Sequence, residues 1–101
     1  MKKWIIHSSD HALDFISKEY NRLEAFKEGL GERFYDKVET IYSRIKGNPF
    51  EFESRTSIYR KGLVNVSKKI QYAVYFRVEV KEVFIDLILP TGINPDLHPS
   101  D

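Results

Sequence analysis

The chain of 101 residues contains no cysteine. This absence excludes disulfide bonds, thiolate catalysis and zinc sites built from cysteine, and it is compatible with a reducing cytosol. A strong net charge is also lacking, since 16 basic residues face 15 acidic ones, so the chain is not a generally basic protein that coats nucleic acid or membranes. The first apolar run covers only residues 4–6, well short of a signal-peptide core or a membrane span. We therefore expect a cytoplasmic protein with no membrane partner.

Apolar residues recur at helical spacing in the first half of the chain. They are Leu13, Ile16, Tyr20 and Leu23 in residues 10–26, and Leu30, Phe34, Val38, Ile41 and Ile45 in residues 30–46. Each set predicts one buried helix face. The connection at residues 29–31 is short and contains two glycines, so we expect the two helices to form an antiparallel hairpin.

Period-two alternation replaces the helical pattern after residue 54. Residues 58–66, 70–79 and 83–89 predict three strands, and the short run 4–6 predicts a first strand ahead of the helices. Gly62 inside its strand suggests a bulge or bend. The order β-α-α-β-β-β predicts an α+β fold, with the helical hairpin packed on one face of a twisted antiparallel sheet. Residues 1–95 form the single predicted domain, and 96–101 an irregular C-terminal tail.

Basic residues concentrate in the predicted strands. Residues 55–81 hold seven Lys and Arg against one Glu, which is a local charge of +6. Period two places Tyr75 and Arg77 on the strand face opposite the core, where contacts to phosphates, bases or an acidic protein segment are feasible. The alternative, that these strands simply carry solvated charge, stays open.

Motifs of known enzyme classes are missing from the sequence. No serine lies in a nucleophile elbow, and no glycine-rich phosphate loop follows a strand. His7 and His11 have no third ligand at a spacing typical of metal sites. We therefore expect neither a metal nor a cofactor.

Several segments together resemble the RelE/ParE superfamily, the toxin subunits of bacterial type II toxin–antitoxin modules, also called plasmid stabilisation proteins. The segments are residues 12–15 with Tyr20, 29–34 (GLGERF), Asn48 with Pro49, 72–78 and 83–85. The resemblance implies the family's helical hairpin on a curved antiparallel sheet. It also implies a protein that inhibits growth until a cognate antitoxin binds and neutralises it.

The same resemblance implies one of two cellular targets. RelE-like members cleave mRNA on the ribosome, whereas ParE-like members poison DNA gyrase and need no nuclease residues. Relatives commonly have His-x-x-Arg-x-Pro after the last strand, but this chain has Pro90 and Ile93 at the His and Arg positions. These replacements favour a gyrase-directed or diverged toxin over a ribonuclease, and so over an enzyme. His98 can supply the missing imidazole only if the tail folds back.

Site residues follow from the resemblance and from the basic strands. For a ribonuclease, the candidates are Arg60, Lys61, Lys69 and Arg77 as phosphate ligands, with Tyr72 or Tyr75 for base stacking. For the antitoxin, Arg60, Lys61 and Arg77 are expected to meet carboxylates, while Val64, Val66, Val80 and Leu97 are expected to offer apolar surface that the helices do not reach. The alternative from another class is a stand-alone RNA- or DNA-binding module that uses the same basic sheet.

Overall fold

The computed structural model describes residues 4–93 and 95–100. Its elements are β1 (Ile5–Ser8), α1 (Asp10–Phe26), α2 (Leu30–Gly47), β2 (Glu53–Ser54), β3 (Arg60–Asn65), β4 (Gln71–Glu79) and β5 (Glu82–Pro90), with short 3-10 helices at Pro49–Glu51 and Pro95–Leu97. Two helices pack on a five-stranded sheet, which confirms the predicted α+β class.

The sheet differs from the prediction in two ways. Its strand order is β1-β5-β4-β3-β2, and β1 runs parallel to β5, so the sheet is mixed and not purely antiparallel. A parallel neighbour requires a long connection, and here that connection contains both helices and three other strands. The fifth strand, β2, pairs with β3 over only two residues, too few to produce an alternation in the sequence.

The helical hairpin begins and turns at residues that satisfy free backbone groups. Ser9 Oγ accepts the amide hydrogen of Ala12 at 3.0 Å and caps α1. At the turn, Gly29 has a φ of 87°, a left-handed conformation that suits glycine. The Glu24 carboxylate accepts hydrogen bonds from the amides of Gly29 at 3.1 Å and Glu32 at 3.0 Å. It therefore caps the start of α2, and these amides hold the pKa of Glu24 below its ordinary value.

Close contact between the two helices depends on Gly31. A Cβ atom at this position would lie 2.5 Å from the backbone oxygen of Tyr20 and 2.5 Å from Cγ of Glu24. Backbone cannot move aside as a flexible side chain can. The second glycine of the 29–31 connection therefore sets the distance between the helices.

The core lies between the helices and one face of the sheet. The face of α2 predicted from periodicity is confirmed, because Phe34, Val38, Ile41 and Ile45 are all buried. On β4, Tyr72 and Phe76 point to the helices and make edge contacts with Phe34 and with Phe52, at ring-centroid distances of 4.9 and 5.5 Å. The predicted face of α1 is only partly right: Leu23 is buried as expected, but Leu13 is 54% exposed and the charged residue Glu19 is buried.

Gly62 does not mark a bulge. The register between β3 and β4 is unbroken from Arg60 to Asn65, and a Cβ atom on Gly62 would lie 3.2 Å from side-chain atoms of Ile41 and Phe52. Glycine here permits α2 to approach the sheet, which is the other reason for glycine in a strand. The register shift lies instead between Tyr75 and Phe76, where β5 carries an extra residue.

The helices are too short or too polar for a membrane. Among residues 4–93 and 95–100, no helix has the length and apolar character needed to cross a bilayer.

Candidate functional site

A small cavity lies on the outer face of the sheet, the face turned away from the helices. We call this cavity the outer pocket. Its volume is about 160 Å³, and it is lined by Arg55, Lys61, Tyr75, Thr91, Ile93, Pro95 and His98. Lys61 of β3 and Tyr75 of β4 are directly opposite each other in the antiparallel register, so their side chains project from adjacent points of this face. The pocket thus gathers two cations, a phenol and an imidazole.

The C-terminal residues fold back over the outer face. Residues 95–97 form a 3-10 helix where the sequence predicts an irregular tail, and His98 then reaches the sheet. Its Nδ1 lies 2.8 Å from the Tyr75 hydroxyl and its Nε2 lies 3.1 Å from the carbonyl oxygen of Pro90. The tail thus folds back, which is the condition under which His98 can supply the missing imidazole. Tyr75 is 1% exposed.

The two hydrogen bonds fix the tautomer of His98. A carbonyl oxygen can only accept, so Nε2 must carry a hydrogen and donate it to Pro90. In the neutral ring, Nδ1 then has the free lone pair and accepts the proton of the Tyr75 hydroxyl. Tyr75 is therefore polarised toward an imidazole base.

Burial raises the pKa of Tyr75 above its ordinary value. The Arg55 guanidinium, hydrogen-bonded to the phenol, lowers that pKa, and the charge of Glu53 raises it again. The net direction is upward, so the phenol is protonated at neutral pH and is available as a donor.

Of the six predicted catalytic candidates, only Lys61 and Tyr75 line the outer pocket. Tyr72 is buried on the helix-facing side of β4, where its hydroxyl donates to the carboxylate of Glu19. Tyr72 is 2% exposed, so it cannot stack on a base at the surface. Burial and the Glu19 carboxylate also raise its pKa. Lys69 lies in the turn between β3 and β4, at a separate cavity.

Arg60 and Lys61 lie on opposite faces of β3, because they are neighbours in a strand. Arg60 is opposite the core residue Phe76 and therefore belongs to the helix-facing side. Its Nη1 donates to the carbonyl oxygen of Phe52 at 2.7 Å, and its guanidinium lies 5.0 Å from the ring centroid of Phe50.

Arg77 is on the outer face, as predicted, but it is already paired. Its Nε lies 2.9 Å from Asp86, its Nη1 lies 2.8 Å from Glu79, and its guanidinium lies over the Phe84 ring at 4.4 Å. Two carboxylates neutralise this cation, so Arg60, Lys61 and Arg77 do not form one basic surface.

The prediction that Val64 and Val66 lie beyond the helices is wrong. Each is 1% exposed, because both point into the core between the sheet and α2. Val80 and Leu97 are exposed, as expected.

Two residues of the outer pocket are not singled out by the sequence. Arg55 is one of seven basic residues in 55–81, and His98 is only a conditional substitute for the missing imidazole. Two features of the sequence point to these residues. Arg55 lies shortly before β3, and two prolines stiffen the tail around His98.

The other histidines are placed elsewhere. His7 stacks on Phe84 at 4.9 Å and lies 2.8 Å from Glu82, while His11 is exposed on α1. Within the described part of the chain, no group of three or more His, Asp or Glu side chains is arranged to hold a metal ion.

No protein-family model matches this chain, and no curated protein matches it significantly. The RelE/ParE resemblance therefore stays a prediction that rests on the quoted segments.

Proposed function

We propose that this chain is the toxin subunit of a type II toxin–antitoxin module of the RelE/ParE superfamily, and that it cleaves RNA at the outer pocket. The observation that carries the proposal is the hydrogen bond between His98 and Tyr75 beside Lys61. At the end of β5, Pro90 and Ile93 stand where relatives have a His and an Arg. Taken alone, these two replacements favour a gyrase-directed toxin. The folded-back tail brings an imidazole from position 98, and Arg55 adds a guanidinium, which supports a ribonuclease instead.

RNA cleavage by side chains requires a base for the 2′-hydroxyl, cations at the phosphate and an acid for the leaving oxygen. Tyr75 is 1% exposed, so this scheme requires RNA binding to displace part of the cover over its hydroxyl. Because Tyr75 donates to Nδ1 of His98, its oxygen then takes the 2′-hydroxyl proton as its own proton moves to Nδ1. The 2′-oxygen then attacks phosphorus and the bond from phosphorus to the 5′-oxygen breaks. The products are a 2′,3′-cyclic phosphate and a 5′-hydroxyl.

Arg55 and Lys61 supply positive charge to the phosphate in this scheme. Lys61, opposite Tyr75 in the register, also gives a proton to the leaving 5′-oxygen, whereas an arginine does not release its proton in proteins. The pocket volume of about 160 Å³ is below the roughly 300–1,000 Å³ of typical small-molecule sites. It suits a phosphate and ribose of a longer chain whose bases lie outside.

A ribosome-programmed mRNA cleavage assay tests the chemistry, with a gyrase supercoiling assay beside it. We expect RNA fragments with 2′,3′-cyclic phosphate ends, and rates lower by about 10²–10⁴-fold in His98→Ala and Tyr75→Phe. His11→Ala and Tyr35→Phe are matched controls, since both residues are exposed on the helices, and they should retain full activity. Inhibition of gyrase without RNA cleavage would show instead that the target is gyrase.

The toxin assignment is tested in cells. Induction of the chain alone should arrest growth, and coexpression of the neighbouring small gene product should restore growth and copurify with it. The antitoxin is expected to be partly disordered and acidic before binding. Salt-dependent nucleic-acid binding without growth arrest and without a protein partner would favour the stand-alone nucleic-acid-binding module.

A further inference from the structure

A second cavity lies next to the outer pocket, where the turn between β3 and β4 meets the end of β5. We call it the turn cavity. It measures about 240 Å³, and its polar lining includes Glu19, Arg22, Lys68, Lys69, Gln71 and Thr91. Three basic residues and one acidic residue give this lining a net charge of +2. An anion is therefore the ligand that its electrostatics favour.

The single carboxylate of the turn cavity is fully used within the protein. Glu19 Oε1 accepts from Nε of Arg22 at 2.7 Å, and Oε2 accepts from Nη2 of Arg22 at 2.7 Å and from the Tyr72 hydroxyl. This bidentate pair holds the guanidinium in one orientation and leaves Nη1 without a role in the pair. Glu19 is thus a positioning residue, which fixes Arg22 at the mouth of the cavity.

The two lysines of the turn cavity add positive charge that no described carboxylate neutralises. Lys68 and Lys69 are exposed in the turn, and neither forms an ion pair with a described carboxylate. Hydrogen bonds from the Lys69 and Ile70 amides to Ser67 Oγ, at 3.3 and 3.2 Å, support the turn that presents them. A fixed guanidinium and two exposed ammonium groups match the oxygens of a phosphate.

Thr91 lines both cavities, so they are adjacent. Its amide donates to the carbonyl oxygen of Gln71 at 3.0 Å, which ties the wall between the cavities to the first residue of β4. The outer pocket is on the outer face and the turn cavity reaches Glu19 and Tyr72 on the helix-facing side, so a chain of linked phosphates has to pass around the end of β5 at Thr91 to occupy both. A single phosphate cannot occupy both.

We infer that the turn cavity is a second phosphate-binding subsite, which holds the backbone of single-stranded RNA one or a few nucleotides from the outer pocket. This inference rests on the proposed function, since it extends the path of the same substrate. Arg22, Lys68 and Lys69 contact the phosphate, and they read no base. Their contribution is sequence-independent and falls with salt.

The test measures binding of 2′-O-methyl RNA, which cannot be cleaved because the 2′-hydroxyl is blocked. A fluorescent dinucleotide and a fluorescent octanucleotide are titrated by anisotropy at several salt concentrations. The variant is Lys68→Gln with Lys69→Gln. The matched control is Lys18→Gln with Lys37→Gln, which removes the same charge from the exposed surfaces of α1 and α2.

The two lengths should respond differently. Each lost phosphate contact lowers the slope of log K against log salt by about 0.7 for single strands, so the double variant should lose about 1.4 from the octanucleotide slope. If the variant and the wild type bind equally at a 1 M reference, this difference in slope makes the variant bind the octanucleotide about 25-fold more weakly than the wild type at 0.1 M salt. Dinucleotide binding should stay within about twofold of the wild type, and the control pair should behave as the wild type with both.

Three outcomes would overturn the inference and leave the proposed function standing. Equal octanucleotide losses in the variant and in the control would show that only net charge matters. Weaker octanucleotide binding with an equally weakened dinucleotide would show that the lysines act in the outer pocket. Unchanged RNA binding with loss of antitoxin binding would assign the turn cavity to an acidic protein segment. If the wild-type protein binds neither RNA, the proposed function fails as well.

Discussion

Removal of the Tyr72 hydroxyl should destabilise the fold, because this group supports a buried charge. Glu19 is 8% exposed, and its carboxylate is held by Arg22 and by the Tyr72 hydroxyl. In Tyr72→Phe, the carboxylate keeps Arg22 but loses one donor that water cannot easily replace. A hydrogen bond to a charged group contributes about 1.5–3 kcal/mol, so we expect the free energy of unfolding to fall by about 2 kcal/mol.

The loss of stability in Tyr72→Phe should depend on pH, because the hydroxyl stabilises the ionised form of Glu19. The hydrogen bond from Arg22 lowers the pKa of Glu19, burial opposes it, and the Tyr72 hydroxyl lowers it further. Ionised Glu19 therefore stabilises the fold above the ordinary carboxyl pKa of about 4.3, and this contribution disappears as the pH falls through the lower folded-state pKa. Tyr72→Phe removes one lowering contact, so the stability curves of the variant and the wild type should converge in acid.

Urea unfolding followed by circular dichroism, at neutral pH and at several acidic pH values, measures both effects. In thermal unfolding, the same loss of 2 kcal/mol corresponds to a fall in Tm of about 8–16 °C for a domain of this size. Tyr35→Phe is the control, since this phenol is 43% exposed on α2, and it should change stability by less than about 0.5 kcal/mol. A Tyr72→Phe loss below about 0.5 kcal/mol, or one that is the same at every pH, would refute the reasoning.

Three further predictions concern the hairpin and the core. Gly31→Ala should cost about 1–3 kcal/mol, because its Cβ would meet the Tyr20 backbone oxygen, whereas Gly47→Ala, with no atom within 4 Å of its Cβ, should be neutral or stabilising in the same urea assay. Glu24→Gln should flatten the dependence of Tm on pH in the acidic range, since the lowered pKa of Glu24 makes its cap a source of stability that is lost on acidification. Phe34→Ala should cost about 3–5 kcal/mol, measured by thermal and urea unfolding, because Phe34 is fully buried. A loss below 1 kcal/mol in Phe34→Ala would contradict this, and would mean that neighbouring side chains fill the cavity that the missing ring leaves.

The elements that the sequence predicted correctly are those with a long, regular period. The bounds of α1 match, and the buried stripe of α2 was visible because every fourth or third residue is apolar. In β4, Tyr72, Val74 and Phe76 face the core while the residues between them face outward. Local backbone geometry alone dictates these faces, so no knowledge of the partner element was needed.

The sequence also contains the information that separates the basic residues of the strands, although a simple sum of charge does not use it. The alternation that buries Gly62 and Val64 also assigns Arg60 to the helix-facing side, so its separation from Lys61 follows from period two. A count of charge over residues 55–81 overlooks this alternation. It also overlooks Asp86, which lies outside that window and pairs with Arg77.

Only the tertiary structure decided which distant residues meet. No local pattern shows that β1 pairs with β5, that a charged residue of α1 is buried beside Tyr72, or that His98 returns to Tyr75. Each of these contacts joins residues more than 20 positions apart, and its stability depends on the environment that the rest of the fold creates. Glu19 is tolerated in the core because Arg22 and Tyr72 satisfy its carboxylate there. The outer pocket likewise exists only once the sheet has formed and the tail has packed on it.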